Sequence, residues 1–115
     1  MSSRDYRLYL EDMQQACVDV LQFTRDTHSA QELESDRRTF LAVIRSLEVL
    51  GAASRQISRS FKEKHPEIPW REIGDLRNII AHEYFGLDLD IIWDVIRNQI
   101  PGITERINEI LKENS

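Results

Sequence analysis

The sequence predicts an all-α protein, an up-and-down bundle of four to five helices. Three observations predict this class. Apolar residues recur every three or four positions along five segments, no useful length of chain alternates with period two, and prolines or a glycine separate the last four segments from one another. With 115 residues, 41% of them hydrophobic and 30% charged, the chain is expected to form one domain, residues 1–115, around a sizeable core.

The first helix is predicted from Tyr6 to about Asp26, with Ser2 or Ser3 as its cap. Its apolar stripe consists of Leu10, Met13, Cys17, Val20, Leu21 and Thr24. Cys17 is the only cysteine, and its place on this stripe indicates a buried structural thiol. The polar segment THSAQELESD that follows is predicted to be a surface connection, with room for a short helical turn.

The second helix is predicted to start near Asp36, with an apolar side of Phe40, Val43, Ile44, Leu47, Leu50, Ser54, Ile57 and Phe61. The GAAS stretch at residues 51–54 lowers helix propensity at its glycine but lets another backbone approach closely. The segment HPEIPW ends this helix, because Pro66 and Pro69 break helical hydrogen bonding.

Three further helices are predicted. The third begins near Pro69 or Trp70 and ends at Gly86, with an apolar face of Ile73, Leu76 and Ile80 and with Tyr84 as a further candidate. The fourth starts around Asp88 or Asp90 and is expected to bury Ile91, Ile92, Val95 and Ile96. The fifth has Pro101 in its first turn and a stripe of Ile103, Ile107, Ile110 and Leu111.

The charge balance limits the partners. A formal net charge of -5 argues against a protein that coats nucleic acid by bulk electrostatics, and no DNA partner is expected, but a small local basic site stays open. No run approaches the roughly 18 apolar residues of a membrane span, and the start MSSRDYRLYLED lacks the apolar block of a signal peptide. We therefore expect a cytoplasmic protein without membrane contact.

The stretch DLRNIIAHEYFG, residues 75–86, carries the candidate chemistry on the third helix. Arg77 and Tyr84 are seven residues apart, and Asn78 and His82 are four apart, so all four occupy one broad sector. A guanidinium is a permanently charged phosphate clamp, and an imidazole exchanges a proton near neutral pH. Together they suit cleavage of RNA, which supplies its own nucleophile in the 2'-hydroxyl.

One arginine and one histidine are too few for such a site. A two-fold dimer along this helix would supply two of each, with one histidine as base, the other as acid, and the arginines as clamps. No metal or cofactor is expected, because HEYFG lacks the second histidine of a zinc-binding H-E-x-x-H helix and no cysteine or histidine cluster replaces it.

These residues also have ordinary structural interpretations. Arg77 could pair with Asp75 or Glu83 at an interface, and His82 could be a hydrogen-bonded residue at the border of the core. The bare spacing from arginine to histidine is weak evidence, because it arises by chance in roughly half of such sequences. Trp70 and Trp93 are interpreted as core residues rather than base-stacking platforms.

The fuller string is more specific than the spacing. RNIIAHEY matches the R-N-x-x-x-H-x-Y form of the HEPN signature. The segments RLYLEDMQQA, GAAS, HPEIPWREIGDLRN, HEYFGLDLDIIWDVI and IPGI resemble the HepT-like branch of that superfamily in order and spacing. The resemblance covers essentially the whole chain.

The resemblance implies a HEPN-like bundle that dimerises around the third helix and acts as a metal-independent endoribonuclease toxin. It implies that Arg77 and His82 are the catalytic pair and that Asn78 helps to orient them. It also implies a partner, an MntA-type nucleotidyltransferase antitoxin in a type VII-like toxin-antitoxin pair, which can transfer AMP to Tyr84. AMP there would place bulk and negative phosphate in the path of RNA.

Further positions in the second and third helices bear on the interpretation as a nuclease. Relatives commonly read G-E-A in the second helix where this chain has Gly51, Ala52 and Ala53, so the role of a carboxylate there is open. Arg71, and Arg59 and Lys62 from the basic run between residues 55 and 64, are candidate RNA contacts, although such a run is usually a solvated face.

Two rival functions stay open. The first is a non-catalytic helical binding module that partners a nucleotidyltransferase and holds nucleotide or substrate in the same cleft. The second, a purely structural dimerisation domain, would leave the four polar residues of the third helix unexplained.

Overall fold

The computed structural model describes residues 5–83 and 89–113, and the side chains of residues 5–80 and 89–113. Its elements are α1 (Tyr6–Phe23), α2 (Ala30–Ser35), α3 (Arg37–Arg55), α4 (Arg59–Lys64), α5 (Trp70–Glu83), α6 (Leu89–Asp94), a π-helical segment (Val95–Gln99) and α7 (Ile100–Glu113). The described ranges contain no strand, and the predicted all-α helical bundle is confirmed. None of the described helices is long and apolar enough to cross a membrane.

The bundle is organised around α1 and α3. These two helices pack extensively on each other, α7 packs on α1, and α5 packs on α3. The predicted stripes fill the core, and its largest fully buried side chains include Leu10, Met13, Leu47, Leu50, Ile73 and Ile107. Each such side chain contributes on the order of 1.5–3 kcal/mol by leaving water, so the stripes hold α5 against α3.

Local caps set where α1 begins and ends. The carboxylate of Asp5 caps α1 by accepting the backbone N–H of Arg7 at 3.0 Å, whereas the sequence predicted Ser2 or Ser3 as the cap. Those two serines lie outside the described residues. The helix ends at Phe23, three residues before the predicted end, and the buried Thr24 hydroxyl donates to the Val20 carbonyl at 2.8 Å.

The second predicted helix is divided in the structure, which corrects the prediction of one continuous helix to Phe61. Its start is as predicted, because Asp36 accepts hydrogen bonds from the backbone and hydroxyl of Thr39. The break follows Arg55, where the Ser58 hydroxyl accepts the N–H of Phe61 at 3.2 Å and starts α4. The expected helical turn in THSAQELESD is α2.

The fourth and fifth predicted helices are joined. Helical backbone runs from Leu89 to Glu113, with the π-helical segment just before Pro101. Proline has no N–H to donate and its ring crowds the carbonyl four residues earlier, here that of Arg97, and the wider π turn relieves this conflict. Ile92, Val95 and Ile96 are buried as predicted, but Ile91 is 41% exposed, so that prediction was wrong.

Cys17 is buried, as predicted. Burial raises the pKa of its thiol to about 11, and a hydrogen bond with Thr104 of α7 offsets part of this shift. The thiol is therefore neutral at ordinary pH and serves the packing of α1 on α7.

Candidate active site

A cleft lies between α3 and α5. It encloses about 220 Å³ and is lined by Arg45, Leu47, Glu48, Gly51, Ala52, Arg55 and Arg77. We call it the α3–α5 cleft. Its polar side chains on α3 are spaced so that they share one face of that helix, and α5 contributes Arg77 from the opposite side. Leu47 and Gly51 are buried and form the floor.

The α3–α5 cleft is positively charged in an acidic protein. Three arginines and one glutamate give it a formal charge of +2, whereas the whole chain carries -5. Within the part of the chain that the structure describes, Arg45, Arg55 and Arg77 have no carboxylate at ion-pair distance. Guanidinium groups stay protonated at every physiological pH, so the cleft attracts anions under all such conditions.

Gly51 lets α3 and α5 approach closely, as the GAAS stretch predicted. A Cβ added at Gly51 would stand 3.5 Å from the carbonyl oxygen of Ile73 on α5. The same Cβ would stand 4.0 Å from Nη2 of Arg55, so the Arg55 side chain folds back one turn over the glycine. The Arg55 guanidinium therefore lies beside the crossing of the two helices.

The structure brings one of the four predicted site residues into the cleft. Arg77 is exposed beside the buried stripe of α5 that holds Ile73 and Ile80, and it lines the cleft. Asn78 is exposed one residue further along α5 and does not line the cleft. His82 lies within α5, but its side chain is outside the described positions. Tyr84 and the predicted cap Gly86 also lie outside the described residues.

The three predicted RNA contacts lie apart from the α3–α5 cleft. Arg59 is 93% exposed and pairs with Glu63 at 3.6 Å, and Arg71 is exposed in the first turn of α5. The Lys62 ammonium lies 5.7 Å from the ring centroid of Trp70. Trp70 itself packs partly buried against the core and donates its indole N–H to the His65 carbonyl at 2.9 Å, which agrees with the core interpretation.

Sequence reasoning missed Arg45 and Glu48, and grouped Arg55 only with the basic run that follows it. Their spacing was the available signal, because Arg45, Glu48 and Arg55 recur at helical intervals on one face of α3. The spacing does not reveal that α5 packs beside that face. Ala52 also lines the cleft, and Glu48, one turn earlier, places a carboxylate there although position 52 has none.

Across residues 5–80 and 89–113, no group of three or more histidine, cysteine, aspartate or glutamate side chains is arranged to hold a metal ion.

Comparison with known proteins gives consistent matches over nearly the whole chain. A family model described as Ribonuclease HepT-like matches residues 13–110. A Methanocaldococcus jannaschii protein with a provisional RNase name is 39% identical over 93% of this chain and 97% of its own length. A Thermococcus cleftensis protein, provisionally named ribonuclease HepT, is 38% identical over 95% of this chain and 98% of its own. No solved structure gives a significant match.

Proposed function

The chain belongs to the HepT-like ribonuclease family, and on that premise we propose that it is a metal-independent endoribonuclease with Arg77 and His82 as catalytic residues. The observation that carries the proposal is the position of Arg77. Arg77 lines a cleft with two further arginines and lies five residues before His82 on the same helix. Arginines of this kind bind the negative phosphodiester and stabilise the further negative charge of its transition state.

The proposed reaction uses the substrate's own nucleophile. A histidine removes the proton of the ribose 2'-hydroxyl, and the oxygen forms a bond to the adjacent phosphorus. The bond from phosphorus to the 5'-oxygen breaks, and a second histidine donates a proton to that leaving oxygen. The products are a 2',3'-cyclic phosphate and a free 5'-hydroxyl. Arg77 neutralises the charge that builds on the phosphoryl oxygens, and Asn78 orients the reacting groups.

A homodimer around α5 completes the proposed site. Positions 77 and 82 differ by about 7.5 Å along the helix axis and by about 140° around it. The two functions therefore stand towards opposite edges of the one broad sector that they share, which supports a site completed by a second copy of α5. A two-fold axis along this helix would supply two arginines and two histidines, one histidine for each proton transfer.

The proposed activity requires restraint in the cell. We place the protein in the cytoplasm as the toxin of a type VII-like pair, with an MntA-type nucleotidyltransferase as antitoxin. Transfer of AMP to Tyr84, two residues after His82, would add negative phosphate close to the proton-transfer position. The modified protein would repel RNA from the α3–α5 cleft.

A second candidate is a non-catalytic binding module that partners a nucleotidyltransferase and holds nucleotide or substrate in the same cleft. Ala52 favours it, because the resemblance to the HepT-like branch implies a glutamate where this chain has an uncharged side chain. The two candidates make different predictions for RNA cleavage.

The test compares RNA cleavage by wild type, His82→Ala and His28→Ala in EDTA. His28 is an exposed histidine on the connection after α1, so His28→Ala is the matched control. We expect wild type and His28→Ala to produce fragments ending in 2',3'-cyclic phosphate. His82→Ala should lose activity by about 10²–10⁴-fold, the usual contribution of general acid–base catalysis.

Other outcomes are equally informative. Activity lost in EDTA and restored only by a divalent metal would contradict the proposed mechanism. If intact-mass measurement shows no AMP on the protein, and neither wild type nor His28→Ala cuts RNA, the binding module is supported instead. Circular dichroism of each variant verifies that the helices are retained.

A further inference from the structure

We infer that Arg45 and Arg55 each bind a phosphate of the RNA backbone beside the phosphate held by Arg77, so that the α3–α5 cleft is a strand-binding subsite. This inference rests on the proposed function, because it assumes that the anion is RNA. It assigns a role to two residues of α3 that take no part in the proton transfers.

Two helices contribute arginine side chains to a single cleft. Two arginines elsewhere in the described part of the chain are neutralised locally, since Arg7 pairs with Glu11 and Arg59 with Glu63, in both cases at 3.6 Å and four residues apart. Position 59, four residues after Arg55, is another arginine, so Arg55 lacks that option on its C-terminal side.

The Cα atoms of Arg45 and Arg55 are ten residues apart, about 15 Å along the axis of α3, and the Arg55 side chain folds back to Gly51, about 9 Å from Arg45 along that axis. Successive charges on one strand of B-form DNA lie about 3.4 Å apart along the axis, so a length of about 9 to 15 Å spans about three to four nucleotides. Glu48 lies between the two arginines in the lining of the cleft, which separates the positive positions and favours two discrete phosphates over one.

The volume of the α3–α5 cleft also favours a strand over a small molecule. At about 220 Å³, the cleft is smaller than the roughly 300–1,000 Å³ of a typical small-molecule pocket. The cleft is open to solvent along exposed arginines, and its buried floor holds only Leu47 and Gly51. Such a shape suits a short length of sugar-phosphate backbone, which is bound by charge rather than by enclosure.

The experiment measures the salt dependence of RNA binding. Every protein carries His82→Ala to prevent cleavage, and a short fluorescent single-stranded RNA is titrated at several concentrations of KCl between about 50 and 200 mM. One double variant, the cleft pair, carries Arg45→Gln and Arg55→Gln. It is compared with a second double variant, the control pair, which carries Arg25→Gln and Arg37→Gln. The control arginines are exposed and lie outside the cleft.

Each phosphate contact with a single strand contributes about 0.7 to the slope of log affinity against log salt. We expect the slope to fall by about 1.4 for the cleft pair and to change little for the control pair. In the active protein, the cleft pair should reduce kcat/KM more on a long RNA than on a dinucleotide.

An unchanged slope in the cleft pair overturns the inference. So does a changed oligomeric state by light scattering with RNA binding otherwise intact, because the arginines would then act at a protein interface. A reduced slope in a protein that never cleaves RNA leaves this subsite standing and removes the proposed catalysis.

Discussion

The two grooves on either side of α3 share side chains but differ in charge. Arg45, Glu48 and Ala52 line both the α3–α5 cleft and a second groove of about 300 Å³ between α1 and α3. We call the second one the α1–α3 groove; its other lining residues are Tyr9, Asp12, Val49, Ala53 and Gln56.

The difference comes from what lies next to the shared stripe. α5 adds Arg77, and Arg55 folds over Gly51, so the α3–α5 cleft has a formal charge of +2. α1 adds Asp12, so the α1–α3 groove, with Arg45 and Glu48, has a formal charge of -1. An acidic chain can thus bind an anion at one seam between helices, and overall composition does not reveal which seam it is.

The largest effect should come from Arg77. We expect Arg77→Gln to lower kcat for RNA cleavage by about 10²–10³-fold, the usual loss on removing one donor to a developing negative charge. Asp12→Asn, in the α1–α3 groove, should change kcat less than about threefold. Single-turnover cleavage assays of the two variants measure the difference, and equal losses would mean that the two grooves are not functionally distinct.

Gly51 tests the crossing that forms the floor of the α3–α5 cleft. Gly51→Leu should lower the free energy of unfolding by about 1–3 kcal/mol, because its side chain meets the Ile73 carbonyl. Gly51→Ala fits at ordinary contact distance and should be neutral or stabilising by up to about 1 kcal/mol. Urea denaturation measures both. A destabilised alanine variant would show that the helices cross more tightly than described.

Substitutions at Ala52 test whether the charge of the α3–α5 cleft controls RNA affinity and whether a carboxylate at this position takes part in cleavage. Ala52→Glu lowers the formal charge of the α3–α5 cleft from +2 to +1. We expect RNA affinity to fall about fivefold, which corresponds to roughly 1 kcal/mol for one near-surface charge. Ala52→Gln is the uncharged control of similar size. A gain in cleavage rate with glutamate alone would instead assign the carboxylate a part in catalysis.

The smallest effect concerns the cap of α3, the helix that both grooves share. Hydrogen bonds from Thr39 lower the pKa of Asp36 below its ordinary value of 3.8. A lowered folded-state pKa contributes stability above the unfolded value, and that stability is lost as pH falls through the folded value. Below about pH 4 wild type should therefore lose stability relative to Asp36→Asn. Thermal melts from pH 7 to pH 3 measure this, and parallel curves would contradict it.

Much of the helical architecture could be predicted because it is local. The stripe of Ile73, Leu76 and Ile80 and the small residue at Gly51 indicate which faces pack, and the structure confirms both. The errors arise where local signals compete. Ser58 caps a new helix inside a continuous apolar pattern, and the π-helical segment lets a helix continue past Pro101.

The candidate site was predictable only in part. The motif around Arg77 is visible in the sequence. Arg45 becomes a candidate site residue only because tertiary packing places Arg77 of α5 in the same cleft. The roles of Arg77, Asn78, His82 and Tyr84 stay predictions.

The most direct test of the account is to map where RNA lies. The His82→Ala protein is cross-linked to photoreactive single-stranded RNA, digested, and the attached peptides are identified by mass spectrometry. We predict adducts on α3 between residues 45 and 55 and on α5, with no adducts on α1. Adducts on α1 around Asp12, in the absence of adducts on α5, would place RNA in the acidic groove and contradict the account.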